Sequence, residues 1–324
     1  MSSESGLVFA LCLDRKGGAR EVRWEEVDAG PSDGELLWVH VDYEGEKAKG
    51  WLNEASGIAP VILEALAAQE ARPRCLTNGG GMLLILRGVN ANPAADPEDM
   101  VSVRMWLEAD RIVTMRHRMV MAVEEVRQAA MAGHGPSSTG GFLEDLSDRM
   151  VLRMGNVLAE LDDEVDALED EVLTEESYDL RPKIADARRT AIKLRRYLAP
   201  QRDVVARLQT EKVTWLTDID RARLREVADR TTRYVEDLDS IRDRAAVTQE
   251  ELNSRLAEQM NKRMYVLGVV AGVFLPLGLL TGLLGINVGG IPGTESPMAF
   301  ALVCAFLALI GVGQIWLFRR MKWF

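Results

Sequence analysis

From residue 264 to residue 284 the chain carries no charged side chain, and it enters this apolar stretch directly out of a long, charged, helical pattern. Neither Gly nor Pro occurs between Gln201 and Leu267 to break the passage. The stretch ends at Gly285-Ile286-Asn287-Val288-Gly289-Gly290, and after a short loop a second apolar stretch covers residues 298–318. Each is about 20 residues long, which as a helix crosses a ~30 Å hydrocarbon layer. A buried helix pair in a large soluble protein would have a similar composition. Basic residues set the orientation of two spans. Lys262 and Arg263 precede the first, Arg319, Arg320 and Lys322 follow the second, and the loop between has no Lys or Arg, only the acid Glu295. Both termini are therefore expected in the cytoplasm and the loop outside, in a multi-pass protein of the inner cell membrane. Tyr265, Trp316 and Trp323 fall near the cytoplasmic interface, where amphipathic rings settle.

The other residues, about 260, suffice for one or two domains with real cores. The formal net charge of −11 excludes nucleic acid as a natural partner and disfavours anionic lipid for the soluble part; such a surface gathers cations. Cys12, Cys75 and Cys304 are far apart and read as reduced thiols, not a disulfide framework. No secretory leader is expected, because the apolar run 7–13 is short and follows Glu4 without a basic region.

Residues 1–135 alternate in character. Short β-prone runs at 7–13, 36–41, 82–86, 101–107 and 112–115 are separated by helical spacing at 45–56 and 60–69, with a further helix at 119–131. Gly79-Gly80-Gly81 reads as a hairpin turn, and residues 134–141 as a linker. From Phe142 the pattern is helical. Residues 160–179 hold eleven acids and no base, and residues 181–212 hold ten bases against three acids. These two helices are expected to pair as an antiparallel hairpin. Next, Leu224, Val227, Thr231, Tyr234, Leu238, Ile241, Ala245, Thr248 and Leu252 step by threes and fours, the seam of a coiled-coil-like stalk. Three regions are expected: an α/β domain over 1–135, a helical hairpin and stalk over 142–263, and a two-helix membrane domain over 264–324. The fold class is an α+β membrane protein whose stalk continues into the first of two membrane helices.

Within the first span, Met264, Gly268, Ala271, Leu275, Gly278, Gly282 and Gly285 step by fours and threes. Small residues in such a stripe allow close helix packing. They equally suit a narrow lumen that Met264 and Leu275 gate by dewetting. The stripe runs into Gly285-Ile286-Asn287 at one end and shares its face with Asn261 at the other. A ring of carboxamides faces a hydrated divalent ion without stripping it, and Mg²⁺ gives up its water shell reluctantly. Two spans cannot enclose a lumen, so the chain is expected to form a cyclic homo-oligomer.

These residues resemble the CorA superfamily of divalent-cation transporters, which ends in two spans joined by a Gly-Met-Asn loop. Here the triplet is Gly285-Ile286-Asn287. That departure, the following Val288-Gly289-Gly290-Ile291-Pro292-Gly293 and the terminal Lys322-Trp323-Phe324 are similar to the zinc-transporting, ZntB-like branch. So are Ala71-Arg72-Pro73-Arg74, Leu86-Arg87-Gly88-Val89-Asn90 and Pro97-Glu98-Asp99-Met100-Val101-Ser102. The resemblance implies a funnel-shaped homopentamer with its pore lined by the first span. It places Asn287 at the selectivity position, Asn261, Met264, Leu267, Ala271 and Leu275 at pore-facing positions, and Glu295 where external acids attract cations.

The branch implies Zn²⁺, with Cd²⁺ and Ni²⁺ as further cargo; Mg²⁺ or Co²⁺ is the alternative within the superfamily. Dehydrated zinc takes Cys, His or carboxylate ligands, and the spans offer only Cys304. His40, His117 and His134 are scattered and read as core or surface residues, so no tight metal site and no cofactor beyond the transported cation is assigned. Proton coupling, which the branch suggests, needs a titrating group; with none in the spans, Glu295 is the candidate. A membrane-anchored coiled-coil scaffold is the alternative from another class. No nucleophile–base pair, P-loop or zincin motif points to an enzyme.

Overall fold

The computed structural model describes residues 6–68, 72–92, 95–174, 177–285, 293 and 296–321. The chain divides into two compact units, Met1–Glu250 and Glu251–Phe324.

The first unit is built on a seven-stranded mixed sheet in the order β2-β1-β3-β7-β6-β5-β4. The strands are β1 (Leu7–Leu13), β2 (Ala19–Glu21), β3 (Leu36–Asp42), β4 (Arg74–Asn78), β5 (Gly81–Gly88), β6 (Val101–Leu107) and β7 (Arg111–Arg116). Only β3 and β7 pair in parallel, with Leu37 opposite Arg111. The central strands are nearly continuous apolar runs because both of their faces are covered. Period-2 alternation sends Leu11, Trp38, Leu84 and Met105 to one core, and Cys12, Leu37, Leu83 and Trp106 to the other. The second core is closed by α1 (Trp24–Ala29), α2 (Glu46–Glu54) and α3 (Pro60–Ala67). The first is closed by α4 (Met121–Met131), α5 (Thr139–Thr174), α6 (Leu180–Leu208) and the beginning of α7 (Asp218–Leu284).

The expected strands and helices of the N-terminal part are all present, with ends moved by a few residues. Three short elements, β2, α1 and β4, were not expected. The edge strands β2 and β4 carry polar, exposed positions such as Arg20, Glu21 and Arg74, and a half-wet edge leaves little apolar period to read. The β4–β5 hairpin turns on Gly79 and Gly80, at φ 58° and 86°; two successive positive φ values are what a two-residue hairpin loop of this hand requires. The linker is shorter than expected, because α5 starts at Thr139 and takes in Gly140 and Gly141.

Where α6 gives way to α7 there is no helix breaker. The stop is made by hydrogen bonds instead. The Thr217 backbone N–H and hydroxyl both donate to Asp220 Oδ2, at 2.9 and 2.7 Å, and the Asp220 N–H returns a bond of 3.2 Å to Thr217 Oγ1. This is a capping box with Asp as its acid. Arg221 Nη1 reaches back to the end of α6, donating to the Leu208 and Gln209 carbonyls at 3.4 and 3.1 Å.

The seam of α7 is buried within the single chain from Leu224 to Leu252, apart from the half-buried Tyr234. It packs on α5: Leu158 and Ala159 share a cleft with Tyr234 and Ile241. α5 and α6 pack together as the expected antiparallel hairpin, but their charged faces pair little with each other. Among the described residues, Lys183–Glu171 is the ion pair between those two helices, at 3.6 Å. Three acids of the 160–179 run instead converge on one base of α7: Arg244 binds Asp162 at 2.8 Å, Glu169 at 2.9 Å, and Asp166. A guanidinium fork suits several carboxylates at once.

Gly140 fits because it has no side chain: a Cβ there would lie 2.2 Å from Asp220 Oδ2, the oxygen that caps α7. Gly140→Ala is expected to lower stability by about 1–2 kcal/mol through loss of that cap. Gly50, inside α2 with open space beside it, should gain about 0.5–1 kcal/mol as Ala. Thermal unfolding of the two variants beside the parent checks both signs.

Candidate functional site

In the second unit, α7 and α8 (Ala299–Arg320) run antiparallel. A Cβ on Gly272 would lie 3.0 Å from Phe318 Cζ, and one on Gly311 4.0 Å from Leu277 Cδ1. The side of α7 that meets α8 is thus the one bearing Gly272 and Leu277. At about 100° per residue, the small-residue stripe falls on the opposite side. Gly268, Gly278 and Gly282 have nothing within 4 Å of where a Cβ would sit. Met264, Leu267 and Leu275 are 64%, 69% and 71% exposed. Asn261 and Gly285 are exposed and Ala271 is half-buried.

None of the apolar window of either helix is buried within the chain. This removes the reading as a buried helix pair of a soluble protein. Each exposed Leu or Phe left in water would forfeit about 1.5–3 kcal/mol of transfer free energy, so lipid or other copies must cover these faces. The α7 helix ends with the Gly285 N–H bonded to Thr281 O at 2.9 Å. Ile286, Asn287 and Glu295 lie outside the described residues. At the other end of α8, Arg319 and Arg320 occupy the last turn, where cations complement the helix dipole. The Arg320 guanidinium lies 5.4 Å from the centre of the Trp316 ring.

Among the described residues no three His, Cys, Asp or Glu side chains converge as a metal site. The histidines stand apart. His134 is exposed. His117 is half-buried, its Nδ1 4.0 Å from Glu44 Oε1. His40 is buried in the sheet, its Nδ1 2.8 Å from Thr114 Oγ1, which also accepts from Trp38 Nε1 at 2.9 Å. The one Thr114 proton can go to His40 or to the Val39 carbonyl at 3.3 Å; the shorter contact gives it to His40, whose Nδ1 is then an acceptor on a neutral ring. Burial, with the Arg116 charge beside it, pushes the His40 pKa down to about 3. Cys12 and Cys75 are buried, and burial pushes the Cys75 thiol up to about 12, which leaves neither a ready thiolate ligand.

The family model described as "CorA-like Mg2+ transporter protein" matches residues 33–320. The chain is 38% identical to the divalent cation transporter CmaX of Pseudomonas aeruginosa, over 99% of its own length and 97% of the relative's. It is 36% identical to the zinc transport protein ZntB of Yersinia enterocolitica, over 98% of this chain and 96% of that one. The solved structure of full-length CmaX superimposes with a TM-score of 0.87 at 37% identity, covering 99% of both chains.

A buried histidine that stays neutral makes stability depend on pH. Below about pH 6.5 the unfolded chain protonates His40 and the folded chain does not, so stability falls as pH drops toward 3, by about 1.4 kcal/mol per unit. By pH 5 this amounts to roughly 2 kcal/mol. His40→Gln should lose that part of the acid dependence, whatever its stability at pH 7. Unfolding measured from pH 7.5 to 5 tests it; an unchanged slope would remove the assignment.

Proposed function

Because this chain belongs to the CorA-like family and transports divalent cations, we propose that its main cargo is Zn²⁺, carried through an axial pore lined by α7 in a homopentamer. The observation that carries the pore is the open, small-residue side of α7, turned away from α8 and uncovered within one chain. Copies related by a closed rotation bring such sides together around an axis. Asn261, Met264, Leu267, Gly268, Ala271, Leu275, Gly278 and Gly282 then line the path in a funnel-shaped assembly. Gly285, Ile286 and Asn287 form its outer collar, with Glu295 drawing cations to the mouth. The basic residues flanking the helices favour an inner-membrane protein with both termini in the cytoplasm.

The choice of zinc rests on likeness to the zinc transport protein over nearly the whole chain. Mg²⁺ or Co²⁺ is the second reading. It draws on the side chains of the spans, which contain no carboxylate or imidazole and only Cys304 as a thiol. A path of this kind passes ions with their water, and Mg²⁺ keeps its water best. Cd²⁺ and Ni²⁺ are expected to accompany Zn²⁺. Inward flow is driven by an inside-negative potential, at about 2.3 kcal/mol per charge per 100 mV.

Metal-by-metal uptake by purified protein in vesicles tests the reading, with native mass measurement counting the copies. Asn287→Ala should cut Zn²⁺ flux at least about tenfold, a loss of roughly 1.4 kcal/mol, with five copies still assembled. Intact flux with the same metal order would overturn the collar. An anchored scaffold would pass no metal at all. A proton-linked mechanism adds one expectation: Glu295→Gln should flatten the dependence of uptake on an imposed pH gradient, and an unaltered dependence would exclude Glu295.

A further inference from the structure

Gln314 is the only carboxamide between Met298 and Phe318. It stands in α8 among apolar neighbours, and its Oε1 is buried with no hydrogen-bond partner among the described residues. A buried polar group left unpaired is costly.

The first span carries the complementary defect. Pro276 lies inside α7. Having no N–H, it leaves the carbonyl four residues back, on Gly272, without its usual donor, and its ring pushes that carbonyl outward. The other N–H groups of a helix interior are engaged along its own ladder. In hydrocarbon, a carbonyl freed in this way is satisfied by a neighbouring helix.

The packing of the two helices brings these groups to one place. Gly272 and Leu277 mark the side of α7 that meets α8, at Phe318 and Gly311. At about 100° per residue, Pro276 falls on that side between them. On α8, Gln314 is three residues beyond Gly311 and four before Phe318, so it shares their face. Because the helices are antiparallel, the level of Gln314 lies between the two contacts. Helix carbonyls point toward the C-terminal end, so the Gly272 oxygen is directed from Gly272 toward Pro276, into that same interval. A carboxamide donates from one end and accepts at the other. Here α7 offers a carbonyl and no free N–H, so an oxygen turned inward is orphaned, whereas a half-turn of the amide brings a donor to the same spot.

We propose that Gln314 donates through Nε2 to the Gly272 carbonyl, and that this bond fixes α7 at its proline. Leu275, the residue before Pro276, is a gate position on the small-residue side. Gln314 is therefore a positioning residue: it touches no cation, and it sets how Leu275 is presented. The bond follows from the packing of the two helices, and its part in transport rests on the function proposed above.

Two variants, alone and combined in the full-length protein, test the proposal. Gln314→Met keeps the length of the side chain and removes both polar ends. Pro276→Ala returns an N–H to the Gly272 carbonyl and makes the latch redundant. Hydrogen exchange of the α7 amides over residues 273–284 reads the bond without reference to transport. Gln314→Met should speed that exchange about fivefold. With Pro276→Ala present it should leave exchange unchanged or slow it, because the amide then has nothing to bond. Leu309→Met, on an outward position of α8 at 72% exposure, should alter nothing in either background. Uptake of Zn²⁺ per assembled oligomer in vesicles reads the role. In Gln314→Met the maximal rate should fall about fivefold with the half-saturating concentration unchanged, since no cation contact is lost. Equal effects of Gln314→Met on exchange in both backgrounds, or none in the parent, would overturn the bond. The expected exchange with an undiminished rate would overturn the positioning role and keep the bond. A parent protein that passes no metal would overturn the proposed function and with it the role, while exchange alone would still decide the bond.

Discussion

The constraint behind the rest of the molecule is an apolar surface that the chain cannot bury by itself. The apolar part of α7 and α8 approach each other at Gly272–Phe318 and Gly311–Leu277. Much of the rest of their apolar surface faces outward, including Leu275, Leu279, Phe300 and Leu309 at 71%, 72%, 81% and 72% exposure. Water cannot be the neighbour of so much hydrocarbon. Lipid satisfies the large side chains, but it gives no reason for a line of glycines, since a glycine face offers lipid little to pack on. Small residues are favoured where backbones come close or where space must stay open. A transporter built from repeated copies needs both conditions on the same helix.

The first unit holds its own length of α7. Its α7 portion is fixed by three different devices: the capping box at Thr217 and Asp220, the apolar seam on α5, and the Arg244 clasp. The clasp joins three carboxylates of one helix to a single guanidinium of another. Their side chains are 35–59% exposed, so solvent screens the attraction and the pairs contribute modestly. The seam, buried from Leu224 to Leu252, supplies most of the binding energy between the helices. The charges instead fix register, because one guanidinium can meet Asp162, Asp166 and Glu169 together in only one axial position.

Elements with a strong period were legible in the sequence. The buried strands of the sheet declared themselves as short apolar runs, and the α7 seam as steps of three and four, because one-sided burial writes its period into residue type. Edge elements did not, since half their residues face solvent and serve no packing rule. The α6–α7 stop was hidden for another reason: it depends on Thr217, Asp220 and Arg221 reaching neighbouring backbone, and none of these is a breaker. The α5–α6 hairpin was legible from its opposite charges, but not which charges would meet, because charge runs carry no distance information; three acids of α5 found one Arg of α7, and the bases of α6 largely went elsewhere. The small-residue face was legible as a stripe, but which way it turned was not. Only the position of α8 showed that the stripe lies on the far side.

Charge also bears on what the proposed path can select. Between Met264 and Gly285 its wall carries only small and apolar side chains. Removing the water shell from a divalent ion against such a wall would cost far more than backbone dipoles return, so the shell stays. Zn²⁺ and Mg²⁺ carry the same charge, and with their water retained they present similar surfaces. A smooth wall therefore discriminates between them weakly, and any preference must arise where polar groups are close enough to order that water. Asn287 and Asn261, at the two ends of the stripe, are the positions where the sequence supplies such groups. Selectivity at the ends and permissiveness in between is what a chain with no charged side chain from residue 264 to residue 284 can achieve.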